Sequence, residues 1–194
     1  MDISSLLIGV ILGSVLTFLI GRFLLNEKIR EEKLANAIVD ADTGLYSRHY
    51  MNEIAPRFVA MHQRDEKSGF AISLVEISEE SRLIKQYGEK VFNKVFASLA
   101  TLVMETIRET DMAIQFSRNR VAIISNCENE KAARQTLYRI NEKLSSLEIP
   151  ITSTENINLK TFSTQVIHQA DESFCELLSR TERILLGSSS VKTA

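Results

Sequence analysis

Residues 112–125 read Met112-Ala113-Ile114-Gln115-Phe116-Ser117-Arg118-Asn119-Arg120-Val121-Ala122-Ile123-Ile124-Ser125. Two short apolar runs, Met112–Phe116 and Val121–Ser125, flank the polar stretch Ser117–Arg120, and that pattern predicts a β-hairpin. Before it, Glu89 to Glu109 carries Val91, Val95, Leu99, Leu102, Val103 and Ile107 at helical spacing, the apolar stripe of a long core-facing helix. Phe70 to Ile77 reads as a buried strand and Asn158 to Ile167 as a further one. Ser47 to Gln63, Glu79 to Gln86, Glu130 to Ser145 and Glu172 to Leu186 read as helices. Helices and strands alternate around an embedded hairpin, so the predicted fold is α/β, with a mixed central sheet flanked by helices.

The chain has 194 residues, 44% hydrophobic and 25% charged, with a formal net charge of −2. This suits one folded domain plus an anchor, and gives no basic face for nucleic acid. Cys127 and Cys175 are isolated, and His49, His62 and His168 are scattered. Neither a disulfide framework nor a metal site nor a bound cofactor is expected, and no nucleophile–base set is present to mark a catalytic residue.

Ser4 to Leu25 is almost wholly apolar, with no charge between Leu6 and Ile20. A helix of that length rises roughly 30 Å, the thickness of a hydrocarbon core. A cleaved signal peptide would begin with basic residues; this chain begins Met1-Asp2-Ile3 and its apolar run ends in Arg22-Phe23-Leu24-Leu25. Residues 1–25 are therefore predicted to form an uncleaved transmembrane helix, a single-pass anchor in the lipid bilayer. Arg22, Lys28, Arg30 and Lys33 follow the span, which places the C-terminal domain in the cytoplasm. Gly9 and Gly13 form a small-residue pair through which a homodimer could pack. Residues 26–39, rich in Glu, Lys, Ala and Leu, read as a helical connector: a short coiled coil in a dimer, or a solvated spacer. The domain proper runs from 40 to 187, and 188–194 reads as a frayed tail.

Three further strings, and the last helix, carry a family resemblance. Asp40-Ala41-Asp42-Thr43-Gly44-Leu45-Tyr46-Ser47-Arg48 resembles the D-x-L-T-G-L-x-N-R opening of the GGDEF family of diguanylate cyclases, with Asp42 in place of Leu and Ser47 in place of Asn. Tyr87-Gly88 after the buried strand, and Arg108-Glu109-Thr110-Asp111 ahead of the hairpin, fall in the family's order. From Leu177 to Leu186 the last helix resembles the family's closing one. The resemblance covers about Asp40 to Leu186 and implies a bacterial GGDEF-like domain.

What the resemblance implies about activity turns on the hairpin. A family cyclase condenses two GTP molecules into cyclic di-GMP with divalent metal held by carboxylates and a Gly-Gly-Asp/Glu-Glu-Phe tip. At those five positions this chain has Ser117, Arg118, Asn119, Arg120 and Val121. Glu76 keeps one carboxylate of the family's metal-binding strand; the phosphate-binding lysine position is Ser81, and the guanine-reading positions are Ile84 and Asn93. The family's C-terminal lysine region is Leu186-Gly187-Ser188. The expectation is a degenerate domain with no catalytic residue, no metal and no cyclase activity.

The family often binds its product through an R-x-x-D motif ahead of the tip, helped by an arginine on the following helix. Arg108 and Asp111 match that motif, and Arg139 falls on the helix, with Arg134 one turn earlier. A guanidinium clamps a guanine edge or a phosphate, and a carboxylate accepts from guanine N–H donors. Arg108 could equally serve as a cation at a helix end, and Asp111 as a turn residue. Two functions are therefore expected to compete: a membrane-bound cyclic di-GMP receptor, and a scaffold that recruits another membrane or cytoplasmic protein without nucleotide. By the resemblance, either would act on adhesion, polysaccharide export or motility.

Overall fold

The computed structural model of the protein describes residues 20–22, 37–62, 69–127, 129–151 and 155–191. The chain divides into two compact units, residues 1–37 and 38–194. The expected anchor and connector lie outside the described residues, apart from the helical Ile20–Arg22 and the short stretch 37–39. Among the described residues no helix is long and apolar enough to cross a membrane.

The second unit opens on a turn built by Asp40. Its Oδ1 accepts from the backbone N–H of Asp42 (3.2 Å) and of Thr43 (2.8 Å) and from the Thr43 hydroxyl (2.7 Å). The Asp40 N–H donates to the Leu45 carbonyl, and the Gly44 N–H donates back to the Asp40 carbonyl. Closing this turn puts Gly44 at φ 72°, and a Cβ there would meet Met104 Cε at 3.4 Å. Leu45 drops fully into the core. Tyr46–Ser47 forms β1, and Ser47 Oγ accepts from the Tyr50 N–H at 3.1 Å, capping α1 (Arg48–His62).

The remaining strands are β2 (Gly69–Ile77), β3 (Met112–Ser117), β4 (Arg120–Cys127), β5 (Glu148–Pro150), β6 (Asn156–Asn158) and β7 (Thr161–Ile167). The helices are α2 (Glu80–Tyr87), α3 (Glu89–Thr106), α4 (Glu130–Ser145) and α5 (Phe174–Val191). The main sheet has the order β1-β3-β4-β2-β7; β1 and β3 run parallel and every other pair is antiparallel. The sheet is mixed, as the sequence predicts. Both faces are covered. Val75, Ile77, Val121 and Ile123 point at Leu83, Phe92, Leu99, Val103 and Ile140 of α2, α3 and α4. Ile72, Leu74, Ala122 and Ile124 point at Met51, Phe174 and Leu177 of α1 and α5. Strands buried on both sides need continuous apolar runs, which is how β2 and β4 read.

Four sequence expectations shift. Helix α3 stops at Thr106, not Glu109: Ile107 is already extended, at φ −76° and ψ 168°. The strand expected from Asn158 breaks at Lys160, whose carbonyl accepts from both the N–H and the hydroxyl of Ser78; Asn158 instead pairs with Glu148 in the small β5–β6 ribbon. Helix α5 starts at Phe174 because Ser173 and Glu176 cap it reciprocally: the Glu176 carboxylate accepts from the Ser173 N–H (2.8 Å) and Ser173 Oγ from the Glu176 N–H (3.3 Å). That helix continues through Gly187 to Val191, where a frayed tail was expected.

Arg180 ties the start of α5 to the sheet. Its Nη2 donates to the Ile167 carbonyl at 2.8 Å, and its Nε and Nη2 meet the two Glu172 oxygens at 2.8 and 2.7 Å. Those bonds hold the Glu172 carboxyl below its ordinary value of 4.5. A lowered folded value gives a contribution that is full above the unfolded value and is lost as pH falls through the folded one. The denaturation midpoint of the wild type should therefore fall as pH drops below 4.5, and that of Glu172→Gln should fall less. Gly44→Ala forces a side chain into the left-handed region and should lower the unfolding free energy by about 1–2 kcal/mol, read as a shifted urea midpoint with an unchanged slope.

Candidate functional site

Strands β3 and β4 meet in a two-residue turn, Arg118–Asn119, closed by the Ser117–Arg120 pair. No residue of this turn has a positive φ; among the described non-glycine residues only Asp171 does. The turn therefore carries side chains at every position without strain. Asn119 stitches it to β2: its carbonyl accepts from the Ile77 N–H at 2.9 Å, and its Nδ2 donates to the Ile77 carbonyl at 3.3 Å. The Ser117 hydroxyl donates to Asn119 Oδ1 at 3.1 Å. Val121 faces the core and is fully buried.

The two arginines of the tip are both engaged. Glu76 and Arg120 stand directly opposite in the β2–β4 register, and Arg120 Nε donates to Glu76 Oε2 at 2.5 Å. Glu182 of α5 lies 3.6 Å from Arg120 Nη1. The Arg120 and Glu76 side chains are 20% and 14% exposed, so this pair is shielded in a way that surface ion pairs are not. Arg118 reaches toward α2 and α3, to Glu80 (3.3 Å) and Glu89 (3.1 Å), with its Cζ 5.5 Å from the centre of the Phe92 ring.

These residues do not fit a divalent metal. Glu76 has a guanidinium on its carboxylate, and Asn119 offers a neutral amide already bonded to Ile77. Among the described residues no group of three or more His, Cys, Asp or Glu is placed to hold an ion. Ser81 and Asn93 are exposed, Ile84 packs against the core, and Leu186, Gly187 and Ser188 lie within α5.

Ahead of the hairpin, Arg108 and Asp111 form a closed turn. The Arg108 N–H donates to Asp111 Oδ2 at 3.1 Å, and the Asp111 N–H donates to the Arg108 carbonyl at 3.0 Å. This turn follows the end of α3, so Arg108 is not the helix-terminal cation that the sequence allowed. Asp111 is only 8% exposed, and its Oδ1 has no hydrogen-bond partner among the described residues. Arg108 is exposed, and its guanidinium makes no bond there. Arg139 on α4 shares no bond with either residue, but its Nε is buried and likewise unpaired. Arg134 is exposed and bonded to Glu130, on the flank of α4 that faces β7.

A family model for the GGDEF domain of diguanylate cyclases matches residues 37–186. The chain belongs to the GGDEF family. A diguanylate cyclase of Shewanella oneidensis, DgcS, is 28% identical over 101 residues, which is 52% of this chain and 34% of that protein. YhcK of Bacillus subtilis is 27% identical over 118 residues, 60% of this chain and 33% of that one. The chain thus spans about a third of the length of these relatives. The GGDEF domain of DgcB from Caulobacter crescentus, solved in complex with c-di-GMP, superposes with a TM-score of 0.74 at 18% identity, covering 80% of this chain and 91% of that one. The diguanylate cyclase SiaD of Pseudomonas aeruginosa, solved with its activator SiaC, gives 0.74 at 15% identity, covering 93% and 68%. The last two likenesses establish the GGDEF fold.

The sequence placed the hairpin, and Glu76 on the buried strand of this GGDEF domain, where the structure has them; Arg108, read inside the long helix, lies in the turn after it. It missed the acidic partners of the tip. Glu80 reads as a surface residue and Glu182 as part of a helix face, yet both close on hairpin arginines. No local pattern announces a contact between residues so far apart in the chain. Because Arg120 and Glu76 pair away from water, removing Arg120 leaves Glu76 without its partner, and removing Glu76 leaves Arg120 only the longer contact to Glu182. Arg120→Ala and Glu76→Ala should each lower the unfolding free energy by about 2 kcal/mol, and the double substitution should cost clearly less than their sum in a urea double-mutant cycle.

Proposed function

We propose that this GGDEF domain does not condense GTP and instead serves as a receptor for cyclic di-GMP, bound by Arg108, Asp111 and Arg139. The observation that carries the reading is the contrast between two carboxylates. Glu76, on the strand that holds metal in the family, is occupied by Arg120. Asp111 is buried with one oxygen unpaired among the described residues, beside an exposed Arg108 whose guanidinium bonds none of them. A carboxylate offers roughly four acceptor sites and Asp111 accepts the Arg108 N–H at one of them, which leaves capacity for the N1–H and N2–H donors of a guanine. The Arg108 guanidinium supplies two parallel donors for a phosphate or for the guanine edge. DgcB holds c-di-GMP in a domain of the same fold, which supports the choice of ligand.

The apolar stretch Ser4–Leu25, with basic residues after it, supports placing the receptor on the cytoplasmic side of a bacterial inner membrane, as a single-pass protein able to dimerise. Ligand-dependent recruitment of a protein partner is then its output. SiaD was solved with a protein activator, so a GGDEF domain that docks a protein without nucleotide is the competing function.

Calorimetric titration of the full chain with cyclic di-GMP separates the two. The expected result is binding at micromolar or tighter affinity, weakened about tenfold or more by Arg108→Ala and by Asp111→Ala, since each removes hydrogen bonds to a charged group. Absence of binding in the wild type would leave the protein-docking function. Cyclic di-GMP produced from GTP by the wild type would overturn the loss of catalysis.

A further inference from the structure

Ser125 presents a third orphan, after Asp111 and Arg139. It is 2% exposed, and its Oγ has no hydrogen-bond partner among the described residues. Its position relates it to Asp111. In the β3–β4 register Met112 pairs with Ile124 and Ala113 with Ile123, so the next step outward sets Asp111 opposite Ser125. A bond from Asn126 Nδ2 to the Thr110 carbonyl at 3.5 Å carries the contact between these segments one residue further. Side chains alternate along a strand, so Asp111 and Ser125 share the face of Ala113 and Ile123, which pack under α3 and α4. Cys127, two residues on, reports the same arrangement: burial, and then the charge of Asp111, push its thiol above the ordinary value.

Directly opposite residues of an antiparallel pair have Cβ atoms about 4.5–5.5 Å apart. The register thus sets Asp111 and Ser125 side by side on one buried face, and among the described residues neither Asp111 Oδ1 nor Ser125 Oγ has a hydrogen-bond partner. Two or more converging polar groups are what an internal water requires. We infer that Ser125 is a positioning residue of the Asp111 site: it holds a water against Asp111 Oδ1 and so aims the carboxylate. The inference rests on reading Arg108 and Asp111 as contacts to a guanine nucleotide, and it adds the inner wall of that site. The water supplies a donor to the carboxylate and orients it for guanine N–H groups without placing a competing cation beside it.

Ser125→Thr keeps the hydroxyl, and Ser125→Val matches the volume of that variant without it. In crystals of the wild type, density for a water within hydrogen-bond distance of both Ser125 Oγ and Asp111 Oδ1 is expected, retained in Ser125→Thr and lost in Ser125→Val. By calorimetry on the full chain, Ser125→Val should weaken cyclic di-GMP binding about tenfold, and Ser125→Thr should bind within about twofold of wild type. An effect of added side-chain volume alone would treat the two substitutions alike. No water between the two oxygens, or Ser125→Val binding as tightly as wild type, would overturn the inference. A wild type that shows the water but binds no cyclic di-GMP would sink the receptor function and the positioning role with it, while leaving the hydration of Asp111 in place.

Discussion

The arrangement of the hairpin depends on one cross-strand ion pair, Glu76 with Arg120. A carboxylate at the end of a buried strand needs a counter-charge. A divalent metal is one solution, and a guanidinium is another. Here the guanidinium comes from the facing strand at 2.5 Å, so closing the hairpin and neutralising the carboxylate are one event. A cation entering beside Glu76 would meet Arg120 first. At about 4 Å, with an effective dielectric near 20, that repulsion is about 4 kcal/mol for each unit of the incoming charge. Moving Arg120 aside would strip Glu76 of its partner and weaken the contact to Glu182 on α5. Arg118 adds a second lock by joining the turn to Glu80 and Glu89, and Asn119 adds a third through Ile77. The tip is thus held by protein on both sides, in a fold whose relatives include cyclases.

In the proposed function, rigidity at the tip has a consequence one strand length away. Strand β3 begins at the Arg108–Asp111 turn and ends at the hairpin, and β4 returns alongside it to Ser125. The same two strands carry a closed polar network at one end and an open one at the other. Closed networks rigidify, whereas buried orphans invite a ligand or a water. The division gives a physical sense to the proposed receptor, in which the Arg108–Asp111 end would take the ligand while the tip stays closed.

Much of this was legible in the sequence, for identifiable reasons. The hairpin, β2 and α4 read to within a residue or two because each carries an uninterrupted apolar pattern. The Asp40–Leu45 turn was legible as a motif because Asp40, Thr43 and Gly44 are each required by its geometry. Helix α3 was read too long: Ile107 continues its apolar stripe, but the Asp111 carboxylate captures the Arg108 N–H and ends the helix early. The β5–β6 ribbon escaped because its three-residue strands have only Ile149 and Ile157 facing the core. The residues of the tip, Ser117–Val121, were plain in the sequence. What fills the space was not, since Glu80, Glu89 and Glu182 reach the arginines only through the tertiary fold.

The central claim, that Arg120 holds the place of a metal on Glu76, is tested most directly by titrating the full chain into Mn²⁺ and GTP and following the free Mn²⁺ by electron paramagnetic resonance. The expected signal is no different from that of Mn²⁺ and GTP alone. A saturable loss of free Mn²⁺ at one site per chain, abolished by Glu76→Ala, would contradict it.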